Sequence, residues 1–312
     1  MQREVPDFQQ EQLKKRKRKS NGSRRDFLWK TVLGLGTLLA SFFYLRFEAN
    51  WLEITKKKVI LPKLRNKVPI KLLHLSDLHF SNSVNLEDID LAFREGFSQS
   101  PDVCVITGDF ITELKSNQEL EEFGRLLAKY AHIVPTFASL GNHDGGEWAG
   151  AHGGFKNTQK VESMLARAGI KLLHNQKESI YLKGQSLTIA GVGDLWSKTC
   201  RPEQCLTKVS SRSNSGTSLV LCHNPDAKEL LINYKWDLML CGHTHGGQVR
   251  LPWFGGSRSL TTNCDLPNWR SRGISKIPNQ PLLNVSAGMG QSPFAPLRIF
   301  CPPEVTLLTL VT

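Results

Sequence analysis

Residues 68–80 read VPIKLLHLSDLHF, a short apolar run that ends on two polar side chains, Asp77 and His79. The same construction recurs downstream. VCVITGDF ends on Asp109, ASLGNHD on Asn142 and His143, LVLCHNPD on His223, and LMLCGHTH on His243 and His245. Runs of this length and composition predict β-strands. Between the first three, residues 86–99 and 117–131 mix apolar and charged positions in a spacing suited to helices. A β-α-β-α-β opening implies parallel strands joined by helical crossovers. The second half is denser in strands: SIYLK, LTIAGV, SLVLCH, DLMLCG, QVRL, LLNVS and VTLLTL, interrupted by helical stretches at 158–169 and 226–233. Two sheets packed face to face with helices outside would bury all of these runs. Residues 198–216 and 252–281 are polar and read as long loops.

The polar residues after the runs decide the chemistry. Sites on α/β sheets assemble where strands end, because loops there vary over a rigid base. Strand alternation predicts that Asp77 and His79 share a face, as do His243 and His245. Glycines before Asp109, Asn142 and His243 let the chain turn sharply there. Carboxylate, imidazole and amide oxygen together suit Mn²⁺, with Fe or Zn²⁺ as other candidates, and do not suit Ca²⁺. Two such ions ~3.5–4 Å apart clamp a phosphoryl group and lower the pKa of a water between them.

Charge is unevenly placed in this chain of 312 residues with net charge +12. Residues 1–30 carry ten Lys/Arg against four Asp/Glu, and residues 46–71 carry eight against two. The remainder, with 22 of each sign, is neutral. A neutral body argues against a nucleic-acid groove, and a basic tail suits an anionic membrane surface. Between the basic blocks, Thr31 to Leu45 is uncharged (TVLGLGTLLASFFYL). As a helix it would span roughly 22 Å, short of the ~30 Å hydrocarbon core. Residues Ser23 to Lys30 (SRRDFLWK) resemble a twin-arginine export signal, and Phe47-Glu48-Ala49 lacks a small residue at its first position. The expected organisation is a basic disordered leader at 1–30, an apolar anchor or uncleaved signal-like segment at 31–45, a basic linker at 46–66 and a catalytic domain at 67–312. An inner-membrane association with a cytoplasmic body is expected, with export as the alternative. The seven cysteines show no disulfide framework.

In the order D-x-H, GD, GNHD, H, GHxH, residues 69–312 resemble the calcineurin-like metallophosphoesterases. That resemblance implies a four-layer α/β/β/α sandwich. It also implies that Asp77, His79 and His245 hold one ion, that Asn142, His223 and His243 hold the other, and that Asp109 bridges them. His143 would contact the phosphate or protonate the leaving group. Asp144 would orient His143, or serve only as a turn residue. CGHTHGGQVRLP and GMGQSPFAPLRIFCPPEVTLLTL look like a membrane-linked bacterial branch of the family, similar to the chlamydial-type UDP-2,3-diacylglucosamine pyrophosphatases. This resemblance implies cleavage of a nucleotide diphosphate on a membrane lipid, releasing UMP and 2,3-diacylglucosamine 1-phosphate in lipid A synthesis. An exported phosphodiesterase or phosphatase of broad or lipid specificity is the second expectation, and a membrane-tethered binding scaffold the third. Arg298 is placed to reach a phosphate or to form a surface salt bridge, and Arg250 is ambiguous in the same way. Trp148, Trp196, Trp253 and Phe254 would line an acyl groove, grip the interface or simply pack.

Overall fold

In the computed structural model, twelve strands form two six-stranded sheets. The structure describes all residues except 1–6, 66, 115, 212–215, 254–255, 261–262, 268–269, 277–280 and 293–296. The strands are β1 (Glu53–Ile60), β2 (Ile70–Leu75), β3 (Val103–Thr107), β4 (Thr136–Ser139), β5 (Lys171–Leu172), β6 (Gln176–Leu182), β7 (Gln185–Gly191), β8 (Thr217–Leu221), β9 (Leu238–Cys241), β10 (Arg250–Trp253), β11 (Gly256–Ser259), β12 (Gly273–Lys276), β13 (Leu282–Val285) and β14 (Glu304–Val311). The helices are α1 (Asp7–Asn50), α2 (Leu86–Phe97), α3 (Asn117–Ala131), α4 (Glu147–Ala151), α5 (Gln159–Arg167) and α6 (Lys228–Leu231).

One sheet runs β1-β14-β2-β3-β4-β5 and the other β12-β13-β9-β8-β7-β6, while β10 and β11 pair as a separate hairpin. Strands β2, β3 and β4 are parallel, as the strand–helix alternation predicts. Strands β7, β8, β9 and β13 are also parallel, with antiparallel β6 and β12 at the two edges. Alternate residues of the two sheets meet in a dry seam: Ile70, Leu72, Val103 and Val105 from the first, Leu187, Ile189, Leu219 and Leu240 from the second. The opposite face of the first sheet packs Leu73, Leu75 and Ile106 against Ile89, Phe93, Phe123 and Leu127 of α2 and α3. The opposite face of the second is covered by Ala227, Leu231, Trp236 and the loop residues Cys200, Cys205 and Leu266. This outer layer is thin, because the predicted helix at 226–233 is a 3₁₀ turn, Pro225–Ala227, followed by the single turn of α6.

Caps fix where the crossover helices begin. The Asn85 side chain accepts from Asp88 N at 2.9 Å, and Asp88 returns the bond to Asn85 N at 3.2 Å. Ser116 caps α3 by accepting from Glu119 N at 3.2 Å.

Two expectations for the N-terminal region are corrected. The chain divides into the units Met1–Phe47 and Glu48–Thr312, so the body begins well before residue 67. Strand β1 lies inside the expected basic linker and pairs in parallel with β14 from Glu53↔Glu304 to Ile60↔Val311. Its exposed lysines, Lys56 to Lys58, sit on an edge strand, where charge discourages pairing with another chain. The loop expected at 252–281 contains β11 and β12. The leader expected to be disordered is helical from Asp7, and the apolar stretch is part of that one 44-residue helix. No proline interrupts residues 7–50. Thr31 and Thr37 return their hydroxyls to Phe27 O and Leu33 O at 2.9 and 2.8 Å. Phe27, Trp29, Leu33 and Leu38 are exposed along it. Among the described residues no helix is long and apolar enough to cross a membrane.

Candidate metal centre

The polar residues of the motifs gather at the carboxyl ends of β2, β3, β4, β8 and β9, so both sheets supply the site. Strand alternation is not what brings them together. Strand β2 stops at Leu75 and β9 at Cys241, before the side chains in question. Five of them instead take left-handed backbone: Asp77 (φ 51), His79 (φ 47), Asp109 (φ 56), His243 (φ 70) and His245 (φ 50). For non-glycine residues this conformation is rare and strained, and it persists only where surrounding contacts impose it. Two glycines make room for the turns. Gly108 has φ 78, and a Cβ there would lie 2.4 Å from Gly141 N. A Cβ on Gly242 would lie 2.1 Å from Asp77 Oδ2.

Asp109 sits between the histidines. Its Oδ2 is 3.3 Å from His79 Nε2 and 3.1 Å from His223 Nε2, and its Oδ1 accepts from His143 N at 2.9 Å. Asp77 Oδ1 is 3.7 Å from His245 Nε2, 3.9 Å from His79 Nε2 and 4.0 Å from His223 Nε2. Asn142 Oδ1 lies 3.0 Å from His243 Nδ1. Asp77, His79 and His245 thus present one ligand atom each within 4.8 Å of one another, as do Asp77, Asp109 and His223. His79, Asp109 and His143 form a third such group, so His143 stands beside the cluster.

The donor set fits two divalent cations. Two carboxylates, Asp77 and Asp109, are buried together with imidazoles; buried anions demand compensating positive charge. Neighbouring carbonyls set the tautomers. His223 Nδ1–H donates to Thr107 O at 2.7 Å and His245 Nδ1–H to Gly290 O at 3.1 Å, which turns each Nε2 toward the cluster and makes it the atom that binds an ion once it carries no proton. His245 Nε2 faces His79 Nε2 at 3.2 Å, and His243 Nε2 is buried without a hydrogen-bond partner.

Electrostatics follow the burial. Burial raises the Asp109 carboxyl, but His223 and then His143 overcome it and hold it well below the ordinary range. Burial lowers His143 to about 4 and His245 to about 3, with Asp109 and Asp77 respectively opposing. His143 is therefore a neutral imidazole at neutral pH.

Two expectations for the surrounding residues are corrected. Asp144 does not orient His143. Its carboxylate accepts from the backbone N–H groups of Asp109, Phe110 and Gly141 at 2.8, 2.7 and 2.8 Å, clamping the Asp109 turn to the Asn142 turn. Burial and the nearby Asp109 charge push this carboxyl up to about 7. Replacing Asp144 with alanine leaves three buried donors unpaired at about 1–3 kcal/mol each. A fall in the thermal midpoint of more than about 5 °C is expected, and an unchanged midpoint would refute the clamp. Arg298 does not reach toward a phosphate. It is fully buried, and its guanidinium donates to the carbonyls of Cys301, Ala287, Gly288 and Gly290. The Gly290 carbonyl is the one that orients His245. Arg250 is likewise buried, donating to Gly246 O at 2.6 Å and Ser271 Oγ at 2.9 Å.

Sequence reasoning missed Asp194, which ends LTIAGVGD after β7 much as Asp109 ends VCVITGD. It is buried, accepts from Ser197 N at 2.6 Å, and leaves Oδ1 without a partner. Thr112, whose Oγ1 holds His79 Nδ1, was also missed, because its run offers no pattern. Trp148 and Trp196 lie at the site, 4.7 Å from the His143 ring and 4.3 Å from the His243 ring. Phe254 and the side chain of Trp253 fall outside the described residues.

The family model of the calcineurin-like phosphoesterases matches residues 70–247. The chain is 34% identical over 290 residues to "Phosphodiesterase YaeI" of Escherichia coli (strain K12), covering 93% of this chain and 99% of that protein. It is 28% identical over 304 residues to "UDP-2,3-diacylglucosamine pyrophosphatase LpxG" of Chlamydia muridarum, covering 84% of this chain and 90% of that protein. A similar match, 29% identical over 92% of this chain and 97% of its partner, is the uncharacterized metallophosphoesterase YkuE of Bacillus subtilis. The motif-bearing strand ends lie within the matched region, and the chain belongs to the calcineurin-like phosphoesterase family.

Proposed function

We propose that this chain hydrolyses the diphosphate of UDP-2,3-diacylglucosamine at a membrane surface, using two Mn²⁺ ions. The observation that carries the hydrolase reading is the convergence of Asp77, His79, Asp109, His223 and His245 on common ligand positions. Asp77, His79 and His245 would hold one ion, Asn142, His223 and His243 the other, with Asp109 shared. Ions held there supply charge stabilisation at phosphorus and lower the pKa of a water. The residues around them do the rest. Asp144 and Arg298 keep the strained ligand turns in place. His143, neutral and beside Asp109 and His79, is positioned to meet the phosphoryl oxygens or the departing group.

The membrane part rests on α1. Basic residues precede exposed Phe27, Leu28, Trp29, Leu33 and Leu38 on one helix. That arrangement suits docking on an anionic inner-membrane face with the body on the cytoplasmic side. The similarity to LpxG supports the specific substrate. A second reading, a phosphodiesterase of broader specificity, is supported by the higher identity to YaeI.

The full chain with Mn²⁺, offered UDP-2,3-diacylglucosamine in detergent micelles, is expected to release UMP. Turnover of bis(p-nitrophenyl) phosphate without UMP release would replace the first reading with the second. Metal-independent activity on both would refute the hydrolase mechanism itself.

A further inference from the structure

We propose that Trp148 and Trp196 form a planar-ring subsite that takes the nucleobase arm of a phosphodiester or diphosphate substrate. The proposal deepens the hydrolase reading above and rests on it. The two indoles come from different loops, Trp148 from α4 and Trp196 from the turn after β7. Their ring centroids stand 5.6 Å apart at a 37° tilt. Each also touches one histidine of the centre edge-on: Trp148 meets His143 at 4.7 Å, and Trp196 meets His243 at 4.3 Å. The pair therefore borders the position where phosphorus must sit. Both tryptophans are half-buried, so neither is sealed in the core.

Contacts with neighbouring residues support the two indoles. His152 stacks on Trp148 at 4.1 Å and 20°, and its Nδ1–H donates to Trp148 O at 2.8 Å. The two loops run close together, since a Cβ added at Gly146 would lie 3.6 Å from Ser197 Cβ. Glu147 and Lys198, the neighbours of the two stretches, pair at 2.7 Å across the same junction. Aromatic side chains in this setting recognise bases through their π-faces and tolerate different bases, because every base has one. The buried arginines near the centre cannot take this role, because Arg250 and Arg298 already donate to backbone carbonyls. A uridine or other nucleoside on the attacked phosphorus is thus the substituent that the two rings would grip.

The test compares two esters with the same leaving group, thymidine 5′-(p-nitrophenyl phosphate) and methyl p-nitrophenyl phosphate. They differ only in the arm kept on phosphorus. With the full chain and Mn²⁺, kcat/KM is expected to favour the thymidine ester at least about tenfold, mainly through KM. Trp148→Ala and Trp196→Ala should each shrink that ratio, by a factor between about 5 and 150, and Trp→Phe at either position should keep most of it. The ratio cancels any shared loss from a shifted His143. Turnover of both esters at equal efficiency by the wild-type chain would overturn the subsite and leave the hydrolase reading intact. A full preference surviving in both alanine variants would overturn it as well. Should an alanine variant fail to fold, the wild-type ratio and the phenylalanine variants still decide. Turnover of neither ester would overturn the subsite, and absence of UMP release from UDP-2,3-diacylglucosamine as well would overturn the hydrolase reading.

Discussion

Asp109→Ala is expected to abolish turnover, by at least about a thousandfold in kcat, and to release both ions. The reason lies in the position of this carboxylate. Its Oδ2 is within 3.3 Å of His79 Nε2 and 3.1 Å of His223 Nε2, residues that arrive from different sheets. No other carboxylate lies so close to both among the described residues. Asp77 is the nearest substitute, yet its Oδ1 stands 3.9 and 4.0 Å from the same two nitrogens. Removing the Asp109 anion therefore leaves each half of the cluster short of one donor oxygen, and the histidines short of their main counter-charge. The fold should survive, because the Asp144 clamp grips Asp109 through its backbone N–H and not through its side chain. Metal content measured by atomic emission and thermal midpoint separate these effects. A variant that keeps two bound ions, or more than a tenth of wild-type turnover, would contradict the shared position of Asp109.

Most of the fold, and the convergence of polar residues at the strand ends, are legible in the chain, because each strand end carries its polar residue within a few positions of an apolar run. The crossover helices are legible because residues 86–99 and 117–131 mix apolar and charged positions in a helical spacing. What could not be read has specific causes. Lys56 to Lys58 have the composition of a linker, and an edge strand with solvated lysines looks the same along the sequence. Arg298 stands in PLRIF, where the sequence allows a phosphate contact or a surface salt bridge equally. Only the fold shows that five backbone carbonyls surround its guanidinium. Asp144 sits next to His143, and adjacency suggested a bond between the two. The 3₁₀ turn at Asn142–Asp144 instead directs the carboxylate back to three amides. The left-handed conformations of Asp77, His79, Asp109, His243 and His245 leave only a weak signal in the sequence: Asp and His are enriched in this region of backbone space, yet most Asp and His residues lie outside it.

The second large effect is on metal affinity and pH. In the ion-free protein, burial alone would depress His223. The carboxylates of Asp109, Asp77 and Asp194 outweigh it and raise the imidazole from 6.5 to about 10. Because Nδ1–H already donates to Thr107 O, the titrating proton sits on Nε2, 3.1 Å from Asp109 Oδ2. That proton occupies the very atom that would bind an ion. A pKa raised by folding stabilises the ion-free fold fully below about pH 6.5, and this contribution is lost as pH rises through about 10. Ion binding must expel the same proton, so apparent affinity for Mn²⁺ should climb toward about tenfold per pH unit across this window. The increase in thermal midpoint on adding Mn²⁺ should accordingly grow from pH 6.5 to 8.5. Calorimetric titration in two buffers of different ionisation enthalpy should report about one proton released for this histidine. A midpoint increment that stays flat, or binding that releases no proton, would show that His223 is not held as an imidazolium by Asp109 and is not displaced by the ion.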